Sequence, residues 1–138
     1  WITNCGKWTS FKLCPWLYWE GRVETDAKNF EIFNKCSNPN FHGHNYELIV
    51  SLTGEIDKET GYVYDLGILK NLIKSEIEEC FDHKNLNVEV EEFQDLNPTA
   101  ENICVVTYQK LRKHLPNNLD LKITLYETPR NFVSYTGE

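Results

Sequence analysis

Residues 42–54 read His42-Gly43-His44-Asn45-Tyr46-Glu47-Leu48-Ile49-Val50-Ser51-Leu52-Thr53-Gly54. Tyr46, Leu48, Val50 and Leu52 fall on one phase of a two-residue alternation, with Glu47, Ser51 and Thr53 on the other. That pattern is a half-buried β-strand. His44 continues its inner phase, and His42, two residues earlier, shares that side. Two imidazoles placed this way can share one zinc ion. Cys36 lies six residues before His42, across the polar turn Ser37-Asn38-Pro39-Asn40, where it would face whatever the metal binds. The plainer reading is a surface turn with solvated histidines and a core cysteine, and the spacing alone does not choose between the two.

Working outward, residues 8–19 are rich in aromatics and read as a first strand, which Pro15 confines to an edge or a break. Residues 26–34 read as a short helix leading into Cys36. Residues 55–61 form a polar loop closing on Gly61, and Tyr62–Tyr64 reads as a returning strand. Asp65 is a natural N-cap for a helix running to about Glu79, with Leu66, Leu69, Leu72, Ile73 and Ile77 as its apolar stripe. Asn97-Pro98-Thr99 starts a second helix to about His114, carrying Ile103, Val106, Leu111 and Leu115.

Leu119, Leu121, Ile123 and Leu125 then alternate with polar residues, and the next position on their apolar phase is Glu127. A carboxylate at the end of an inward stripe is costly unless something pairs with it; the plainer reading is that the strand frays there. After the turn Thr128-Pro129-Arg130-Asn131, Phe132–Tyr135 reads as a last strand. The order of elements predicts an α+β domain, with an antiparallel sheet and helices on one face.

A chain of 138 residues, 41% hydrophobic and 25% charged, is expected to form one domain over residues 1–138. A net charge of −7 argues against nucleic acid or an anionic membrane as the main partner. No apolar run approaches the length of a membrane span, and no signal peptide is visible. The five cysteines are odd in number and form no CxxC pair, which predicts free thiols in a reducing, cytoplasmic setting. Residues 1–25 are atypical. All four Trp fall within residues 1–19, no acid precedes Glu20, and Trp1 stands where a Met is usual, which suggests a processed or trimmed start.

Chemistry-bearing residues recur further along. Asp82-His83 follows the first long helix, and an acid beside a histidine can fix its tautomer for proton transfer; a helix-capping histidine is the commoner explanation of such a pair. His114 reads as an ordinary helix-end histidine, and Cys80 and Cys104 as packing residues. Cys36, in a polar turn beside two histidines, would have its thiol pKa lowered by a nearby cation.

Cys36 with HGHNY, then GEIDKETGYVYDL (54–66), DHKNLN (82–87), PTAENI (98–103) and LYETPRNFVSYTGE (125–138), together resemble the 6-pyruvoyl-tetrahydropterin synthases and their 6-carboxy-tetrahydropterin synthase relatives. The motifs keep the family's order across about residues 26–138. The resemblance implies the T-fold, a four-stranded antiparallel sheet with two helices on one face. Such subunits join sheet edges into barrels, as a homo-hexamer of two trimers with active sites between subunits. It implies a zinc-dependent lyase that converts 7,8-dihydroneopterin triphosphate to 6-pyruvoyl-tetrahydropterin with loss of triphosphate. Carried over by motif, His42 and His44 match two of three Zn2+ ligands, Cys36 matches the general base, and Asp82 and His83 match the proton-transfer pair. Glu127 matches the residue that anchors the pterin ring, Thr99 falls near the pterin, and Glu101 accompanies it.

The match departs at its beginning. The family's first zinc ligand is a histidine of the first strand, and this chain has none before His42; alignment from Phe11 puts Pro15 in its place. Three readings stay open: a third ligand from Cys14 or Glu20, a pterin-binding relative without turnover, or a first segment that does not represent the functional protein. The 6-carboxy-tetrahydropterin synthase of queuosine biosynthesis is the alternative enzyme. Its cysteine commonly stands three residues before HGH, whereas five residues intervene here.

Overall fold

The computed structural model describes residues 2–6, 16–17, 28, 31 and 42–138, with backbone pairing alone given for 2–6, 16–17 and 42. Its main sheet contains β1 (Ile2–Gly6), β4 (Glu47–Gly54), β5 (Asp120–Tyr126) and β6 (Phe132–Tyr135), side by side in that order. All neighbours are antiparallel. A separate two-stranded ribbon pairs β2 (Trp16–Leu17) with β3 (His42–Gly43).

The β4–β5 pairing runs from Glu47 opposite Tyr126 to Thr53 opposite Asp120. This register puts Leu48, Val50 and Leu52 on the same face as Leu121, Ile123 and Leu125, and all six are buried. That face closes on α1 (Leu66–Ile73), the π turn Lys74–Glu78 and α4 (Ala100–Arg112), through Leu69, Ile73, Ile77, Ile103, Val106 and Leu111. Between these helices lie the short α2 (Glu79–Phe81), α3 (Leu86–Glu89) and a 3-10 turn at Glu91–Phe93.

Both long helices start as their caps dictate. The Asp65 carboxylate accepts from the backbone N–H of Gly67 and Ile68 at 2.7 and 3.0 Å. The Thr99 hydroxyl accepts from Asn102 N–H at 3.3 Å. Each cap satisfies donors that a helix start leaves unpaired.

The buried positions Leu69, Ile73, Ile77 and Phe81 repeat every four residues. An ideal α-helix would rotate such a stripe by roughly 40° at each step. The wider π turn at Lys74–Glu78 takes up that drift and keeps Ile77 and Phe81 on the core. Phe81 then meets Phe93 edge-on, with ring centroids 5.6 Å apart.

Several expectations are corrected. The strand beside β4 is Ile2–Gly6, which lines up against it from Gly54 to Val50 and was not expected. Of residues 8–19 only Trp16 and Leu17 are described, in the short ribbon, and the rest of the strand expected there lies outside the described residues. Tyr62–Tyr64 is not a strand. The Asp57 carboxylate accepts from the N–H of Glu59 and Thr60, and Asp57 N–H bonds Tyr62 O at 2.8 Å. That turn closes the loop on itself and leaves Tyr62 exposed without a strand partner. Leu66 lies exposed instead of joining the stripe, while the first helical run ends at Phe81, close to the expected end at about Glu79. The helix expected at 26–34 lies largely outside the described residues, with Lys28 and Glu31 helical.

Away from the sheet, Lys110 donates to Glu92 at 2.7 Å and stands 6.0 Å from the centre of the Phe81 ring. The Lys110 hydrogen bond holds the Glu92 carboxyl below its ordinary value. Burial pulls the Lys110 ammonium down, but Glu92 outweighs it and the net shift is upward.

Two predictions follow from this packing. Ile123→Ala should lower unfolding free energy by about 2–5 kcal/mol in chemical denaturation, and Ile68→Ala by no more than about 0.5 kcal/mol. The depressed Glu92 contributes stability that is present above the ordinary carboxylate pKa and lost as pH falls through its lowered folded value. Wild type should therefore exceed Glu92→Gln by about 0.2–1 kcal/mol near neutrality, with the gap closing in acid. Denaturation curves at several pH values check it.

Candidate active site

β4 and β5 bring two site residues together at one end of the sheet. Continuing the register past Glu47 and Tyr126 sets Tyr46 opposite Glu127, and His44 lies two residues further along the same phase. The Glu127 carboxylate Oε1 stands 3.2 Å from His44 Nδ1, with the side chains 32% and 28% exposed. The His44 ring tilts over buried Tyr46 with centroids 6.0 Å apart. Glu127 itself is held by the turn that follows: its N–H donates to Asn131 O at 3.0 Å, and the Thr128 hydroxyl accepts from Arg130 and Asn131 N–H.

Glu127 also borders a cavity of about 320 Å³, lined by Ala100, Glu101, Arg130, Asn131, Phe132 and Val133 as well. This is the size of a small-molecule site. Glu101 enters from the first turn of α4, whose start Thr99 caps. The expected pterin-side residues Glu127 and Glu101 thus border one space, with Thr99 immediately before it in the chain. Ala100 and residues 130–133 were missed as individual residues, although all lie within the quoted PTAENI and LYETPRNFVSYTGE motifs. Arg130, the cation of the cavity wall, carried no periodic signal because it sits in a turn.

Asp82 and His83 occupy a different place. Asp82 ends α2 and His83 turns the chain with φ of +57°. The left-handed backbone folds the ring back, putting Nδ1 2.9 Å from Asp82 Oδ1. Asp82 is partly buried while His83 is 77% exposed, and neither lines the cavity. A non-glycine residue at positive φ is strained, and such strain clusters at functional sites.

Cys36 lies outside the described residues, as do Cys14 and Glu20. Cys104 donates from Sγ to Ile123 O at 3.6 Å, and burial pushes its thiol up to about 11, so it stays an inert core group. Cys80 is half-buried and donates to Ser75 O at 3.4 Å in the π turn. His114 Nε2 lies 3.6 Å from Glu76, as an ordinary helix-end histidine would.

A metal can be tested against these residues. A ligating imidazole normally directs its second nitrogen to a carboxylate, which is the relation of His44 Nδ1 to Glu127. His42, two residues before it, stands in β3 with Leu17 as its Cα partner. His44 has the arrangement such a site needs, while among the described residues no three His, Cys, Asp or Glu side chains converge. A third donor would come from outside them.

A sequence model described as 6-pyruvoyl tetrahydropterin synthase matches residues 19–138. The chain belongs to the 6-pyruvoyl tetrahydropterin synthase family. It is 46% identical over 129 residues to the 6-pyruvoyl tetrahydrobiopterin synthase of Pongo abelii, covering 94% of this chain and 88% of that one. The Homo sapiens protein of the same name is 44% identical over the same length and shares. The solved structure of Caenorhabditis elegans 6-pyruvoyl tetrahydropterin synthase superposes with a TM-score of 0.81 at 36% identity, covering 99% of this chain and 94% of that chain. The expected family is therefore correct, and so is the antiparallel sheet with helices. The chain is an enzyme of the lyase type that defines this family.

The His83 backbone gives a direct test of the strained turn. His83→Gly, which suits positive φ, should be more stable than His83→Ala by about 1 kcal/mol, although both lose the imidazole. Thermal unfolding of the two variants measures the difference.

Proposed function

We propose that this chain eliminates triphosphate from 7,8-dihydroneopterin triphosphate to give 6-pyruvoyl-tetrahydropterin. The observation that carries the proposal is Glu127, an acid on an otherwise apolar strand phase, bordering a cavity of small-molecule size. Family membership and relatives named for this activity support it.

In this reading the Glu127 carboxylate accepts the paired N–H donors of the pterin ring, fixing the ring's orientation. Glu101 lines the cavity from the first turn of α4, directly after the Thr99 cap. His83, beside Asp82, gives and takes protons at the substrate side chain, and Cys36 serves as the base on its carbons. His42 and His44 would hold Zn2+, which when bound supplies polarisation of the oxygens beside the carbons that lose protons.

Among the described residues β1 and β6 are the outer strands of the sheet, which supports assembly through sheet edges, as a hexamer of two trimers. The position of the Asp82–His83 pair away from the cavity, with His83 exposed, suits an active site completed between subunits. Among the described residues no helix is long and apolar enough to cross a membrane.

The test is incubation of purified protein with 7,8-dihydroneopterin triphosphate. Released triphosphate and a product that keeps its three-carbon side chain are expected; no triphosphate release, or acetaldehyde as co-product, would defeat the proposal. His83→Gly should lower kcat by roughly 10²–10⁴-fold while pterin binding persists, as expected for removal of a proton-transfer group.

A further inference from the structure

Glu127 lies where the pterin end and the histidine end of the site meet. Glu127 borders the cavity, and its carboxylate stands 3.2 Å from His44 Nδ1. The contact is built from the fold on both sides. The β4–β5 register puts the two residues on one diagonal, buried Tyr46 supports the imidazole, and the 128–131 turn holds the Glu127 backbone.

We infer that Glu127 is a positioning residue for His44, so that one carboxylate serves both the metal and the pterin. The inference rests on the proposal that His42 and His44 hold Zn2+. A carboxylate at Nδ1 selects the tautomer with its proton there, makes Nε2 the metal-binding nitrogen, and restricts ring rotation. Because the same carboxylate meets the pterin, metal and pterin affinities are coupled, and such coupling is reciprocal. Glu101 offers a built-in comparison, since it lines the same cavity but makes no ion pair with His44.

The experiment measures Zn2+ affinity of chelator-stripped protein by competition with a chromophoric chelator, and records the visible spectrum after loading with Co2+. Glu127→Ala should bind Zn2+ about 10–100-fold more weakly than wild type and change the Co2+ spectrum. Glu127→Gln should recover most of the affinity, because its amide oxygen still accepts the Nδ1 proton. Glu101→Gln should bind Zn2+ as wild type does. Unchanged Zn2+ affinity in Glu127→Ala would overturn the inference while leaving the metal site standing. An equal loss in Glu101→Gln would overturn it too, by assigning the effect to cavity charge. A wild type that takes up no Zn2+ would overturn both the inference and the metal-site proposal, and pterin binding measured alongside would show whether the cavity assignment survives.

Discussion

The register between β4 and β5 is the constraint on which the rest of the molecule depends. With Glu47 opposite Tyr126, six aliphatic side chains from two strands reach one face and close on both long helices. A slip of one residue would turn the three from one strand to the opposite side of the sheet from the three of the other. The same slip would remove Glu127 from His44, because their meeting is the continuation of that ladder beyond its last paired residues. Core formation and site formation are therefore one event. Burial of the aliphatic residues stabilises a geometry that presents a carboxylate and an imidazole to one another.

The fold was legible wherever a period was clean. The alternation from Tyr46 to Leu52 and from Leu119 to Leu125 gave both central strands, and Asp65 and Thr99 marked the two long helices by their capping chemistry. Tyr62–Tyr64 misled because alternation over three residues says nothing about hydrogen-bond partners, and the Asp57 turn had already spent the local backbone groups. Ile2–Gly6 was missed because its five residues carry too little pattern to outweigh the aromatic run after it. The short α3 and the 3-10 turn pack Leu86 and Phe93, single buried residues that leave no periodic trace.

The candidate site was legible in a different way. Glu127 was conspicuous because it broke an apolar phase, and the structure gives that break a partner in His44 and a cavity beside it. Asp82 and His83 stood out only as neighbours in sequence, and their strained backbone could not be read from residue identity. The residues that complete the cavity wall lie in the turn and edge strand after Glu127, where side chains follow turn geometry rather than any repeat.

The π turn at Lys74–Glu78 has a consequence for how this enzyme can vary. It holds one residue more than an α-helical turn needs, and everything after it, including Asp82 and His83, inherits the rotation that residue introduces. Deleting one residue there would leave a continuous helix but swing its far end by about 100°. The direction in which Asp82 and His83 leave the helix is thus set by a count of residues more than by their identities. Exposed side chains along this helix can be exchanged without moving its tip, whereas a change of length by one turns the tip residues elsewhere.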